Sequence, residues 1–563
     1  MKSFIMNAFN PFLILFFCFT VSYLPPQFLI KGENESEKIK DETDVWIPDN
    51  GDGTYKNPII YADYSDPDVC RAGDDYFLTS SSFSNFPGLP ILHSKDLVNW
   101  KIIGHAAVNY PFEEFSLPQH GNGIWAPSIR YHNNEFYIYF GDPDRGIFMT
   151  KAKNPAGPWQ PLKLIRKAVG WIDACPFWDD DGNAYLVHAW AKSRSGFKDR
   201  ITINKMSFDG EKILDDGVTV FWDSLKHPTI EGPKLYKRNG YYYIFAPAGG
   251  VKPGWQVVLR SKSIYGPYDD KIVLEQGSTK VNGPHQGAWI QTQTGEDWFI
   301  HFQDRYSYGR IVHLQPMKWE NDWPIVGLDY DKNGIGEPVQ NYKKPDVGKV
   351  FPIETPQTED EFNSAGLGLQ WQWQANFKPE RISLEARKGW LRLYSQSPAN
   401  NFRNLWNAPY LLMQKIPAPA FSAAVKLELS AKNAGEKSGL IVFGTDYSYL
   451  GIEKTLDGYK ISQIECKNAN SGGEETVIQD TLVTAPFVHL RADVEQENEI
   501  DIIPKVTCVF SYSLDGETYH QLGKKFIVKA GKWVGAKIGV FAAAPNGNLN
   551  NGYADFDWVR FNP

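Results

Sequence analysis

Cysteine is scarce in this chain, with five residues in 563. Cys18 falls in an N-terminal apolar run, and Cys70, Cys175, Cys466 and Cys508 are widely spaced with no CxxC pair among them. That pattern excludes a disulfide-dense scaffold and a zinc-ribbon site. The four later cysteines are expected as buried thiols, with a Cys466–Cys508 bridge left open. An excess of either charge is also missing: 58 Lys and Arg face 66 Asp and Glu, a formal charge of −8. General attraction to nucleic acid or to an anionic membrane is therefore excluded. There is no GxSxG elbow, no P-loop, no dinucleotide-binding glycine pattern and no heptad. After residue 24 no apolar run is long enough to cross a bilayer, so stable membrane insertion is not expected.

What is plentiful is aromatic and turn-forming residues. Phe, Trp and Tyr make up 14% of the chain (34, 19 and 28 residues), beside 48 Gly and 37 Pro. Many aromatics punctuated by turn formers point to an all-β protein. Residues 1–24, with Lys2 ahead of a short apolar stretch, read as a signal peptide, so export is expected, to the periplasm or the medium. Residues 25–55 read as a polar lead-in.

A pattern then recurs five times: a proline-marked short strand, a polar turn, and an aromatic strand. It runs through Asp66-Pro67-Asp68, Ala126-Pro127-Ser128, Cys175-Pro176-Phe177, Gly232-Pro233-Lys234 and Gly283-Pro284-His285. The aromatic strands start near Tyr76, Phe136, Tyr185, Tyr242 and Trp298, at steps of 60, 49, 57 and 56 residues. Each unit has room for a second strand pair, such as Leu89–Ser94 followed by Asp96-Leu97-Val98-Asn99-Trp100. Four strands in about fifty residues is one propeller blade, so residues 56–335 predict a five-bladed β-propeller. Residues 336–358 are rich in Pro and Lys and read as a linker. Short alternating runs separated by Asp-Gly and Asn-Gly turns fill 359–563 and predict a β-sandwich.

The repeat singles out certain acids. Asp66 directly precedes its proline, Asp173 comes three residues before Pro176, and Glu231 two before Pro233. In a propeller the equivalent ends of the innermost strands converge on one mouth of the central channel, so three acids far apart in sequence should meet. Clustered carboxylates raise one another's pKa, which keeps at least one protonated near neutral pH. Glycoside hydrolysis needs that division, with one acid to protonate the leaving oxygen and one carboxylate to activate water or attack. A metal cluster would want several His among the acids, and only His285 stands at an equivalent place. Trp125, beside the loop-like Gly121-Asn122-Gly123, is the best candidate for a sugar platform, with Phe83, Phe86 and Trp171 nearby. Arg310 offers rigid donors that suit a sugar hydroxyl.

Seven ordered segments resemble glycoside hydrolase family 43, the five-bladed propeller β-xylosidases and α-L-arabinofuranosidases. They are YSDPDVCRAGDDYFL, SSFSNFPGLPILHSKDLVNW, GIWAPSIRYHNNEFYIYF, WIDACPFWDDDGNAYLV, TIEGPKLYKRNGYYYIF, GPHQGAWIQT and YGRIVHLQPMKWENDWP. EFNSAGLGLQWQW and the terminal YADFDWVRF resemble the sandwich that follows the propeller in the xylosidase branch. The resemblance implies an exo-acting hydrolase that releases xylose or arabinofuranose from xylan- or arabinan-derived glycans, with inversion in one displacement. Asp66 would be the general base, Asp173 the acid that tunes pKa and orientation, and Glu231 the general acid, lifted above its ordinary pKa of about 4.3 by Asp173. Phe83, Trp125, His285 and Arg310 would line the sugar pocket, and Trp533 in Gly531-Lys532-Trp533-Val534-Gly535 would be the aromatic that a sandwich loop inserts. No cofactor would be required. A structural calcium near His285 stays open, as does the oligomeric state. Position 68 is Asp where the family often has Ser, which sets a second acid beside the proposed base. Trp171-Ile172 stand where many xylosidases place Phe next to the Asp, so xylose against arabinose stays open. The alternative reading is a non-catalytic carbohydrate-binding propeller. A fructan-cleaving propeller is disfavoured because no WMNDPN-like opening is present.

Overall fold

In a computed structural model the proline-marked units fold as five consecutive four-stranded antiparallel sheets. The structure describes residues 44–398, 403–497, 503–547 and 551–563; the expected signal peptide and residues 25–43 of the lead-in lie outside them. Blade one spans residues 68–107, blade two 125–167, blade three 171–222, blade four 234–274 and blade five 285–326. In each, strand order follows chain order, because a tight turn such as Gly73-Asp74 or Asn239-Gly240 returns each strand onto its neighbour. The first strand of each blade is innermost: Asp68–Ala72, Trp125–His132, Trp171–Trp178, Lys234–Arg238 and His285–Gln291.

The ring closes through buried contacts rather than a shared sheet. Asn57 is fully buried; its side-chain amide donates to the carbonyls of Leu314 (2.8 Å) and Val339 (2.9 Å), and its Oδ1 accepts from Leu314 N (2.9 Å). Residues 336–358, expected as a linker, instead pack along this seam. Asn341–Lys343 pairs antiparallel with Thr54–Lys56, and Val347 is buried.

Residues beyond 359 form two facing sheets of seven and eight strands. Ala420–Ser430 and Phe487–Glu497 alternate buried with mostly half-buried positions, the period-two signature of a strand with one face on a core. Leu427, Leu440, Leu450, Leu490 and Phe556 lie in that core. The four described cysteines are free and buried, so Cys466 and Cys508 are not bridged.

The sandwich is fastened to the propeller by main-chain bonds. Phe86 and Trp373 exchange two backbone hydrogen bonds (2.8 and 2.6 Å), Ala536 N donates to Ser307 O (2.7 Å), and His120 stacks on Trp406 at 3.8 Å. Among the described residues no helix is long and apolar enough to cross a membrane.

Candidate active site

The innermost strands enter the ring through an unusual backbone. Asp66 (φ 55°), Ala126 (φ 34°), Asp173 (φ 59°), Gly232 (φ 60°) and Gln286 (φ 29°) are all left-handed, one per blade. Strand pairing slips at this level between Trp125 and Ser128, Ile172 and Cys175, and His285 and Gly287. Such bulges leave a residue unpaired and re-aim its side chain. A left-handed non-glycine residue costs of order 1–3 kcal/mol, and such strain persists where the surrounding structure holds it for a purpose.

The redirected side chains line a cavity of about 650 Å³ that brings together Asp66, Asp173 and Glu231 with Phe83, Trp125, His285, Arg310 and Trp533. Asp66 is held from three sides. Ser65 Oγ (2.8 Å) and Ser81 Oγ (2.6 Å) donate to its Oδ2, and Arg310 Nη1 reaches both oxygens (3.0 and 3.2 Å). Arg310 thus clamps a carboxylate, where the sequence suggested a sugar hydroxyl. Ser81 Oγ also accepts from Ala126 N (2.7 Å), tying the first blade to the second.

Asp173 is almost fully buried and accepts one bond, from Gly232 N to Oδ2 (2.8 Å). Burial, and then the neighbouring Glu231 and Asp66 carboxylates, push its pKa up to about 7. Burial acts on Glu231 in the same direction, yet two cationic or donor groups outweigh it. His285 Nε2 lies 3.0 Å from Oε1 and Lys198 Nζ 3.2 Å from Oε2, and together they hold Glu231 below the ordinary carboxylate range. The expected order is reversed in direction: Asp173 is the acid that is raised and Glu231 the one that is lowered.

The aromatic residues of the wall adjoin one another. Phe83 (φ 51°) exchanges backbone bonds with Ile124, its ring 6.2 Å from Trp125. Trp125 is fixed by an indole bond to Gly121 O (3.0 Å) and faces Trp533 at 6.5 Å. Trp533 (φ 65°), half exposed, is the sandwich's contribution to the wall. Two other aromatics singled out in the sequence are core: Phe86 is fully buried, and Trp171 stacks on His188 at 3.9 Å.

Asp68 is not a second acid of the site. It is fully buried at the start of the strand Asp68–Ala72, paired with Arg130 (2.6 Å) and accepting from Ile129 N (2.7 Å). His285 turns Nε2 to Glu231 and leaves Nδ1 buried without a partner. Calcium wants six to eight oxygen ligands, and among the described residues no group of three or more His, Cys, Asp or Glu could hold a metal.

Sequence reasoning missed Lys198. It lies on the connection between the blade-three strands Ala184–Trp190 and Arg200–Met206, away from the proline-marked strands that carried the sequence signal. Phe197 packs on Trp190 (4.9 Å) and under Arg200 (3.9 Å), and Asp199 accepts from Trp222 Nε1 (3.0 Å), so its neighbours anchor the loop on both sides. Gln286 and Thr229, also on the wall, carried no signal beyond their closeness to repeat prolines.

Residues 55–324 match the family model described as glycosyl hydrolases family 43, and residues 359–562 match a beta xylosidase C-terminal concanavalin A-like domain. A putative beta-xylosidase of Xylanibacter ruminicola is 41% identical over 505 residues, which is 89% of this chain and 88% of that protein. A non-reducing end alpha-L-arabinofuranosidase of Bacteroides ovatus is 28% identical over 540 residues, 90% of this chain and 94% of that protein. A solved family 43 protein of Bacillus licheniformis superposes with a TM-score of 0.77 at 28% identity, covering 90% of this chain and 99% of the other. With the acids on one cavity and the two-domain plan matched along nearly its whole length, the chain belongs to glycosyl hydrolase family 43.

Proposed function

We propose that this enzyme removes a terminal xylose or arabinofuranose from xylan- or arabinan-derived oligosaccharides in one inverting displacement. The observation that carries the reading is three carboxylates on one cavity, with burial pushing Asp173 up to about 7. Asp66, set by Arg310 and two hydroxyls, takes a proton from water as that water's oxygen bonds to the anomeric carbon. The bond from that carbon to the leaving oxygen breaks, and Glu231 gives the leaving oxygen a proton. Asp173 stores that proton in the free enzyme. Lys198 stands on the cavity wall, where an entering sugar competes for its ammonium; its withdrawal raises Glu231 and lets the pair's proton reach the acid. Trp125, Phe83 and Trp533 offer flat apolar faces to the pentose ring.

The relatives' names support both sugars, and the xylosidase-type C-terminal domain favours xylose. None of these steps needs a metal or an organic cofactor. Export, drawn from the N-terminal apolar run, would put the enzyme where plant polysaccharide fragments are met. The test is incubation with xylobiose and with arabinofuranosyl-xylobiose, followed by NMR of the fresh product. The reading expects a released pentose of inverted anomeric configuration. A retained anomer refutes the single displacement, and binding without release at any pH supports a carbohydrate-binding propeller instead.

A further inference from the structure

Asp63 stands outside the cavity, yet it touches both halves of the site. Its carboxylate is buried and accepts two main-chain bonds: Arg310 N donates to Oδ1 (2.9 Å) and Gly535 N to Oδ2 (2.9 Å). Arg310 is the clamp on Asp66. Gly535 is two residues from Trp533, on the loop that carries the sandwich's aromatic into the wall. The two backbones meet with no room for a side chain. A Cβ on Gly309 (φ 74°) would lie 2.4 Å from the Asp63 carboxyl carbon, and one on Gly535 would lie 2.6 Å from Gly309 N. Burial lowers the amines of Lys415 and, further, Lys537 of the sandwich, and the nearby Asp63 opposes both shifts.

We propose that Asp63 is a positioning residue that sets the Arg310–Asp66 clamp and the Trp533 wall at a fixed distance from each other. One carboxylate with two acceptor oxygens can hold two N–H groups from different domains; an amide of the same shape cannot, because one of its ends is itself a donor. The inference rests on the proposed base role of Asp66.

The experiment uses the full chain and four enzymes: wild type, Asp63→Asn, Trp533→Ala and the double variant, each assayed for kcat and KM on xylobiose, with Tm recorded. Asp63→Asn is expected to lower kcat/KM about tenfold, in the range of one hydrogen bond to a charged acceptor, through both a higher KM and a lower kcat. In the Trp533→Ala background the same substitution should leave KM where Trp533→Ala alone puts it, while kcat still falls through the Arg310 arm. Gly535→Ala, whose Cβ would press on the Gly309 backbone beside Arg310, disturbs both arms at once and should raise KM and lower kcat together, and it carries the test should Asp63→Asn fail to fold. Effects of Asp63→Asn and Trp533→Ala that multiply in both parameters, or a change below twofold at unchanged Tm, overturn the proposal, as does a Gly535→Ala enzyme with wild-type KM. Asp66→Asn retaining full turnover would strike the base assignment instead, a separate outcome from a silent Asp63.

Discussion

After His285, Lys198 is the group that most lowers Glu231, and its removal should show in the titration of that carboxyl. Its ammonium is 3.2 Å from Glu231 Oε2, with the lysine side chain 29% exposed and the glutamate 14%. At that distance two unit charges interact by about 1.3 kcal/mol in a water-like medium and about 5 kcal/mol at an effective dielectric of 20. A partly exposed, long side chain belongs near the lower figure. One pKa unit corresponds to about 1.4 kcal/mol, so removing the charge should raise Glu231 by about one unit. The sign follows directly: Lys198 favours the ionised glutamate, and without it the protonated form persists to higher pH. The carbon-13 shift of the Glu231 carboxyl, followed through a pH titration, should therefore show a midpoint about one unit higher in Lys198→Met. The alkaline limb of kcat/KM, which reports the free enzyme, should stay in place, because it follows Asp173, raised by burial and the neighbouring carboxylates. Lys198→Arg keeps the charge and should leave the Glu231 midpoint unchanged. A midpoint that stays put in the Met variant, or moves equally in both, refutes the electrostatic role.

Three further outcomes follow from the same geometry. Glu231→Gln should cut turnover of xylobiose far more than that of an activated nitrophenyl pentoside, and equal losses on both would argue against Glu231 as the acid. Asp173, raised to about 7, binds a proton in the fold that the unfolded chain releases near pH 4, so its contribution to stability falls as pH rises through that window; the Tm of Asp173→Asn relative to wild type should be more favourable at pH 8 than at pH 5, and a constant difference would contradict the shift. Asn57→Ala strips three buried hydrogen bonds from the ring closure at Leu314 and Val339; at about 1 kcal/mol or more for each group left unsatisfied, thermal unfolding should begin several degrees lower.

The parts of this molecule that were legible in the sequence are those built from local contacts. Every blade is a meander of four consecutive strands, so its turns and prolines recur at readable intervals. Asp66, Asp173 and Glu231 stood out because the repeat places them at one level. The sandwich was readable only as a class. Its central strands Lys537–Ala543 and Lys437–Phe443 pair across about a hundred residues, and nothing local specifies such a register. Residues 336–358 looked like a free linker because their partners, Thr54–Lys56 and the blade-five seam, lie nearly three hundred residues upstream or on another element.

The misjudged pKa order has the same origin, and it shows how the two kinds of structure divide the work. Rotational repetition brings carboxylates together, and from that alone every acid should rise in pKa. What separates Asp173 from Glu231 is which partners arrive with them. Asp173 accepts from the Gly232 main chain, whereas Glu231 meets His285, which belongs to the repeat, and Lys198, which comes from the connection between the second and third strands of blade three. The offset between the two acids is thus set jointly by the regular frame and by one connection laid over it. Relatives sharing the frame but carrying no cation on that connection should keep the three acids with Glu231 titrating higher. Transplanting residues 191–199 between such enzymes should carry the Glu231 midpoint with the loop; a midpoint that stays with the propeller would place the control in the frame itself.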